Sequence, residues 1–125
     1  MKKRILSIIL ATLLIAAMAI PASATSISAS RTWNSIIYHT NDTCNTGNYH
    51  CVIESDSVDC VLRTDVRGYN RSISENEDGM VYYDMGAEST LISTHSGTFT
   101  RNVTYMYAYH FLDGNQASLQ KVYAN

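Results

Sequence analysis

Proline is almost absent from this chain of 125 residues, since Pro21 is its only proline. With no proline after residue 21, the edges of any exposed sheet have to be protected by bulges or charged side chains instead. Lysine is nearly as scarce, and Lys121 is the only one beyond residue 3. The spacing of apolar residues typical of amphipathic helices is also missing after residue 24, which argues against a helical domain.

The one long apolar run lies at the N-terminus. Three basic residues at positions 2–4 precede the 16 residues Ile5–Ile20, which are apolar apart from one serine and one threonine. Pro21 and the small residues Ala22–Ala24 follow, as at a signal peptidase site. The run is shorter than the roughly 20 apolar residues of a transmembrane helix. The sequence therefore predicts a signal peptide over residues 1–24, secretion to the extracellular space, and no stable membrane anchor after its removal.

Charge limits the partners that the remaining chain is expected to bind. Three of the nine basic residues lie at positions 2–4 and all eleven acidic residues follow residue 24, so residues 25–125 carry a net charge of −5. Proteins that bind nucleic acids or anionic membranes usually cluster their basic residues. No nucleic acid partner is therefore expected, because the arginines are scattered along the sequence: Arg31, Arg63, Arg67, Arg71 and Arg101.

Short runs in which β-branched or aromatic residues alternate with polar ones fill the rest of the chain. This pattern predicts an all-β fold, a small antiparallel β-sandwich (or small barrel) of about seven or eight strands. A single β domain is expected over residues 31–125, preceded by a flexible N-terminal arm at residues 25–30. The predicted strands are Thr32–Tyr38, Asn48–Glu54, Val58–Val66, Tyr69–Ser74, Met80–Met85, Thr90–His95, Thr98–Phe111 and Gln116–Ala124.

A β-hairpin is predicted at the C-terminus, around Asp113-Gly114. This dipeptide favours a type I′ turn, because both central residues need a positive φ. A regular two-residue hairpin pairs Leu112 with Asn115 and Ala108 with Leu119. One face is then expected in the core, and it consists of Met106, Ala108, Leu112, Ala117, Leu119 and Tyr123.

The other face of this hairpin is the candidate ligand-binding site. It carries an aromatic ladder that consists of Tyr105, Tyr107, Tyr109 and Phe111. Tyrosine rings on a sheet offer apolar area and a hydroxyl at low entropic cost, so they suit sugars or aromatic and peptide ligands. The structural alternative is that the rings pack against a second sheet or stabilise the strand pair, since tyrosine is common in strands.

Three cysteines are the basis of a disulfide prediction. A hairpin around Ser55-Asp56 places Cys51 opposite Cys60 at a non-hydrogen-bonded position, where a disulfide is feasible outside the cell. Cys44 is then a free thiol or links two chains into a homodimer. Pairing of Cys44 with either of the other cysteines, or a state in which all three are reduced, remains open, because spacing alone does not fix connectivity.

Motifs for catalysis, metals or cofactors are missing. The histidines, His39, His50, His95 and His110, each stand alone among strand or turn residues, and no nucleophile or phosphate-binding motif is present. The cysteine spacing does not match a zinc site. The acidic run at residues 75–78 does not match a complete Ca²⁺ loop and fits a hairpin turn. No metal, cofactor or catalytic residue is predicted.

The sequence favours a secreted, non-enzymatic protein that binds an extracellular or cell-surface ligand. Two alternatives stay open: an antibacterial, bacteriocin-like or membrane-active protein, and a small secreted hydrolase or enzyme inhibitor. About 100 residues of β-sandwich leave little room for a catalytic cleft, which favours binding over catalysis.

Overall fold

The computed structural model describes residues 24–72 and 79–124, and these residues form nine strands and no helix. Most of the predicted signal peptide and the acidic run at 75–78 lie outside the described residues. The strands are β1 (Thr25–Trp33), β2 (Ile36–Cys44), β3 (Asn48–Ser55), β4 (Val61–Tyr69), β5 (Met80–Asp84), β6 (Ser89–Thr90), β7 (Ile92–Thr98), β8 (Tyr105–Leu112) and β9 (Asn115–Tyr123).

Two antiparallel sheets pack face to face. The first sheet has the order β1-β2-β3-β7, and the second has the order β5-β4-β8-β9, with β6 pairing to β4 beside β5. The prediction of a small antiparallel β-sandwich is confirmed, with nine strands in place of seven or eight. Two groups of buried apolar residues fill the space between the sheets.

The chain enters the sandwich earlier than its sequence indicates. Residues 25–30, predicted as a flexible arm, form the first part of β1 and pair with β2 from Thr25 opposite Cys44 onward. The turn that follows has positive φ at Asn34 (45°) and Ser35 (66°). Two consecutive residues with positive φ give a tight hairpin, so a turn interrupts the strand predicted over Thr32–Tyr38.

The predicted hairpin around Ser55-Asp56 is wrong. β3 pairs with β2 and β7 of the first sheet, and Cys51 lies opposite Asp42 and His95. The residues after Ser55 carry the chain across to the second sheet, where β4 begins at Val61. Cys51 and Cys60 therefore belong to different apolar clusters and do not face each other.

The C-terminal hairpin has the predicted turn and a different register. Leu112 pairs with Asn115, and both turn residues have positive φ. Phe111 pairs with Gln116, and His110 then pairs with Ser118, because Ala117 is an extra residue in a β-bulge. A bulge of one residue reverses the faces of the rest of a strand. Leu119, predicted in the core, is consequently 43% exposed.

A polar pair divides the core into its two clusters. The Asp42 carboxylate and the His110 imidazole are both fully buried and lie 2.7 Å apart, Oδ2 to Nε2. Asp42 comes from the first sheet and His110 from the second, so the pair joins the sheets. Along β8 it lies between Ala108 of one cluster and Leu112 of the other.

Candidate functional site

Among the described residues, the outer face of the second sheet gathers most of the aromatic rings and most of the basic side chains. Alternation along β4, β8 and β9 points these side chains away from the core. Tyr83 of β5 and Arg71, just beyond β4, extend the same face. We call it the aromatic–cation face, and its members are Arg63, Arg67, Tyr69, Arg71, Tyr83, Tyr105, Tyr107, Tyr109, Phe111, Lys121 and Tyr123.

The rings form a continuous contact set across the strands. Tyr69 and Tyr105 stack with centroids 5.1 Å apart and planes within 3° of parallel. Tyr107 meets both of them edge-on, at 5.5 and 5.8 Å. Tyr109 lies 6.2 Å from Tyr107, and Tyr123 lies 6.2 Å from Tyr105. Edge-to-face and offset contacts of this kind add roughly 0.5–1.5 kcal/mol per pair to the burial of the rings.

Each basic side chain of this face lies over at least one ring. The Arg63 guanidinium is 4.2 Å from the Phe111 centroid, and the Arg67 guanidinium is 4.8 Å from that of Tyr109. The Lys121 ammonium lies 4.4 Å from the Tyr105 centroid. These distances are within the range of cation–π attraction, which holds long flexible side chains in place.

Arg71 completes this cationic layer at the far end of the face. Its guanidinium lies 5.5 Å from the Tyr105 centroid and 5.2 Å from the Tyr123 centroid. A hydrogen bond with Tyr123 raises the pKa of Lys121, and the same bond lowers the pKa of Tyr123. Lys121 therefore stays charged at neutral pH.

The carboxylates of the described residues neutralise one end of the face. Asp65 accepts two hydrogen bonds from Arg63, at 2.9 and 3.1 Å, and Glu88 lies 3.9 Å from the same guanidinium. Among the described residues, no carboxylate lies within salt-bridge distance of the other three cations of the face. Among residues 24–72 and 79–124, Arg67, Arg71 and Lys121 therefore have no carboxylate partner.

The sequence predicted that the rings lie on this face, but it did not predict that the basic side chains lie there too. Tyr107, Tyr109 and Phe111 are partly exposed on the outer side as predicted, while Tyr105 is 5% exposed beneath its neighbours. Arg63 and Arg67 lie four residues apart, and an even spacing places both on one face of a strand. That spacing was the available signal, and it contradicts the view that the arginines are scattered.

Three of the four histidines pair with serines across the strands, and His95 instead contacts Tyr49 and Asp84. His39 Nδ1 lies 2.7 Å from Ser30 Oγ, and the same contact joins His50 with Ser96 and His110 with Ser118, at 2.7 and 2.8 Å. In all three cases the two residues are register partners of antiparallel strands. The contact is therefore a repeated feature of strand pairing, and it does not by itself identify a nucleophile.

The Ser118–His110–Asp42 chain has the order of groups found in serine hydrolases. Both His110 and Asp42 are fully buried between the sheets. Ser118, whose hydroxyl contacts the imidazole, is only partly buried on β9. The arrangement is a polar link between the two sheets in which each imidazole nitrogen has a partner.

The three cysteines are free and buried. Cys44, Cys51 and Cys60 are 1%, 0% and 1% exposed, and no disulfide joins them. Burial raises the pKa of the Cys44 thiol to about 12, and burial together with the Asp42 charge raises the pKa of Cys51. The predicted Cys51–Cys60 bond is not formed, and the Cys44 thiol lies inside the sandwich, 3.6 Å from the Val122 carbonyl oxygen.

Comparison with known proteins adds no assignment to this geometry, because no family model, no curated protein and no solved structure matches the chain. Within residues 24–72 and 79–124, no helix is long and apolar enough to cross a membrane. The same residues contain no group of three or more potential metal ligands. The geometry of the aromatic–cation face is therefore the main guide to function.

Proposed function

We propose that this chain is a secreted, non-enzymatic β-sandwich that binds an anionic extracellular or cell-surface glycan on its aromatic–cation face. One observation carries the proposal. Arg67, Arg71 and Lys121 are held over aromatic rings, and no described carboxylate lies within salt-bridge distance of them. An anionic ligand supplies the negative charge that this face lacks.

The cations also explain why the ligand is expected to be charged. A neutral sugar binds to tyrosines mainly by stacking on an open ring. Tyr69 and Tyr105 are only 4% and 5% exposed, and Lys121 lies over the Tyr105 ring. Charged groups rather than bare rings therefore meet the ligand first, while the half-exposed rings of Tyr83 and Tyr123 remain available at the margins.

A glycan suits this face better than a nucleic acid. Duplex DNA carries one negative charge per roughly 1.7 Å of its axis and needs many basic contacts. Residues 25–125 have a net charge of −5, so a dense polyanion is repelled by the rest of the molecule. A polymer with one carboxylate per sugar spreads its charges over a longer distance, which three cations can match.

The expected affinity is low for a single site. An exposed ion pair contributes about 0.2–1 kcal/mol, so three such pairs give at most about 3 kcal/mol, and ring contacts add to this. Binding in the millimolar range per site follows. A polymer that repeats its charged unit raises the apparent affinity because several sites on one chain are available.

Affinity measurements with a charged and a neutral polysaccharide test the proposal. Polygalacturonate should bind the purified protein and weaken as salt is added, whereas dextran should not bind. Lys121→Gln and Arg67→Gln should each weaken polygalacturonate binding about fivefold, the factor that corresponds to about 1 kcal/mol. Arg101→Gln removes the same charge from an exposed position outside the face and should change binding less than about twofold.

Two outcomes would contradict this assignment. Equal binding by Arg67→Gln, Lys121→Gln and Arg101→Gln would show that the face is not the site. Tighter binding of single-stranded DNA, or of phosphatidylglycerol vesicles, than of polygalacturonate would replace the glycan with another class of polyanion. Circular dichroism of each variant establishes that the sandwich is intact.

A further inference from the structure

A groove lies on the opposite side of the molecule, on the outer face of the first sheet. Its cavity measures about 310 Å³, which is at the lower end of the range for small-molecule sites. Strands β1, β2 and β3 contribute its walls. We call it the Glu54 groove, and its lining includes Ser28, Ser30, His39, Asn41, Val52 and Glu54.

Glu54 is the unusual member of this lining. Glu54 is only 3% exposed, and its Oε1 atom is buried and has no hydrogen-bond partner among the described residues. Burial raises the pKa of this carboxyl group to about 7. A buried acid that lacks a partner is costly, and natural proteins usually supply one. The partner missing from the described chain is a donor or a cation.

Among the described residues around Glu54 there is no lysine or arginine. His39 of β2 is its register partner, and Ile92 of β7 lies on its other side. Alternation gives β1 only serine and threonine on this face. The other titratable groups of the face are His50, whose Nδ1 contacts Ser96, and Asp56, just beyond the end of β3. Neither lysine nor arginine lines the groove.

The remaining lining is suited to hydroxyl groups. The exposed His39 ring contacts the Ser30 hydroxyl at 2.7 Å, and Asn41 carries an amide on the next outward position of β2. These groups both donate and accept hydrogen bonds. Val52, which is 2% exposed, gives the groove an apolar wall between them and the end of β3.

We propose that the Glu54 groove binds a small hydroxylated amine, whose ammonium group pairs with the Glu54 carboxylate and whose hydroxyl groups bond to Ser30, His39 and Asn41. The ammonium group supplies the cation that the chain does not place beside Glu54. The site lies on the other sheet from the aromatic–cation face, so this proposal does not depend on the glycan proposal.

Glucamine and sorbitol are matched probes, because they differ in one amine in place of a hydroxyl. Isothermal titration calorimetry should show glucamine binding to the purified protein at least tenfold more tightly than sorbitol. Glu54→Gln removes the charge without changing the shape of the side chain and should abolish this preference. Glu88→Gln, at an exposed position outside the groove, should leave it unchanged.

The preference should also depend on pH. The ammonium group needs the ionised carboxylate, and with a pKa near 7 only about one hundredth of Glu54 is ionised at about pH 5. Glucamine affinity should therefore rise by up to about a hundredfold between about pH 5 and pH 8, and the rise should vanish in Glu54→Gln.

A second variant tests the location of the ligand. Val52→Phe places a larger side chain in the groove wall while the Glu54 carboxylate is kept, and it should weaken glucamine binding about tenfold or more. Equal binding of glucamine and sorbitol, or an undiminished preference in Glu54→Gln, would overturn the proposal. Binding of neither compound at millimolar concentration would overturn it as well.

Discussion

Replacement of Glu54 by glutamine should stabilise the protein at neutral pH. The substitution keeps the size of the side chain and removes its negative charge. Glu54 is 3% exposed, and burial raises its pKa from the ordinary value of 4.5 to about 7. The folded protein therefore holds a proton on this group over a pH range in which the unfolded chain has released it.

The size and sign of the effect follow from this difference in pKa. Each pH unit between the two values corresponds to about 1.4 kcal/mol, so the interval from 4.5 to about 7 gives at most about 3 kcal/mol. The wild-type protein has this contribution in full below about pH 4.5 and loses it as pH rises through 7. The Glu54→Gln protein has no such loss, so it should gain up to about 3 kcal/mol relative to wild type by about pH 8.

Urea denaturation followed by Trp33 fluorescence at several pH values between about 4.5 and 8 measures the difference. Other groups titrate in this range, including His50, whose pKa burial lowers. Their effect is shared by both proteins and cancels in the comparison. Glu88→Gln should run parallel to wild type. If Glu54→Gln also runs parallel, the carboxyl group is solvated and the argument for an unpartnered acid in the groove fails.

Two further predictions concern the core. Asp42→Ala removes the carboxylate partner of the buried His110 Nε2, so the free energy of unfolding should fall by about 3 kcal/mol. The control Asp59→Ala, at an exposed position, should lower it by less than about 0.5 kcal/mol. A decrease of less than about 1 kcal/mol in Asp42→Ala would contradict the buried pair. An aromatic disulfide reagent should titrate none of the three cysteines in the native protein and all three in urea. A count of one in urea would instead reveal a disulfide.

Alternation along single strands was the part of the fold that the sequence predicted best. Met106, Ala108 and Leu112 are fully buried, as the pattern of β8 indicated, and the rings between them point outward. In β3, the alternate residues Tyr49, Cys51 and Ile53 likewise share the inner face. The period of two is a local property of the backbone, so it is visible without knowledge of the partner strand.

The pairing of strands was harder to predict from the sequence than their alternation. Cys51 and Cys60 are both buried, and a short hairpin was the simplest way to bring two inward positions together. In the structure, Cys51 lies on β3 of the first sheet, and Cys60 lies in the connection just before β4 of the second sheet. Both arrangements bury the same residues, so burial alone does not distinguish a hairpin from a crossover. The five residues 56–60 are long enough for either connection.

The two candidate sites show the same difference between a pattern within one strand and a pairing of two strands. The ladder Tyr105–Phe111 lies on one strand and was predicted from it. The Glu54 groove requires β1 beside β2, and the residues of β1 that line it belong to the stretch predicted as a flexible arm. Small polar residues such as Ser28 and Ser30 have weak strand propensity, and β1 is ordered by its pairing with β2.

Lys121 is the residue that would have revealed the bulge in β9. A regular hairpin from Asp113-Gly114 puts Leu119 and Tyr123 in the core, and Lys121 lies between them on the same face. Burial of an unpaired ammonium group costs far more than exposure of one leucine and one tyrosine. The extra residue Ala117 exchanges the inward and outward positions of the rest of β9, so that Val122 is buried and Lys121 lies over the Tyr105 ring.

The bulge therefore determines the charge of the aromatic–cation face as well as the core. Gln120 takes the inward position, where its amide donates to the Ile27 carbonyl at 2.8 Å and accepts from Arg31 at 3.4 Å. A polar side chain at that position is tolerated because both ends of its amide are bonded. In the regular register the ladder would face Gln120 and Val122 in place of Lys121 and Tyr123. It would then lack an ammonium group beside the tyrosines, and the case for an anionic ligand would rest on the arginines alone.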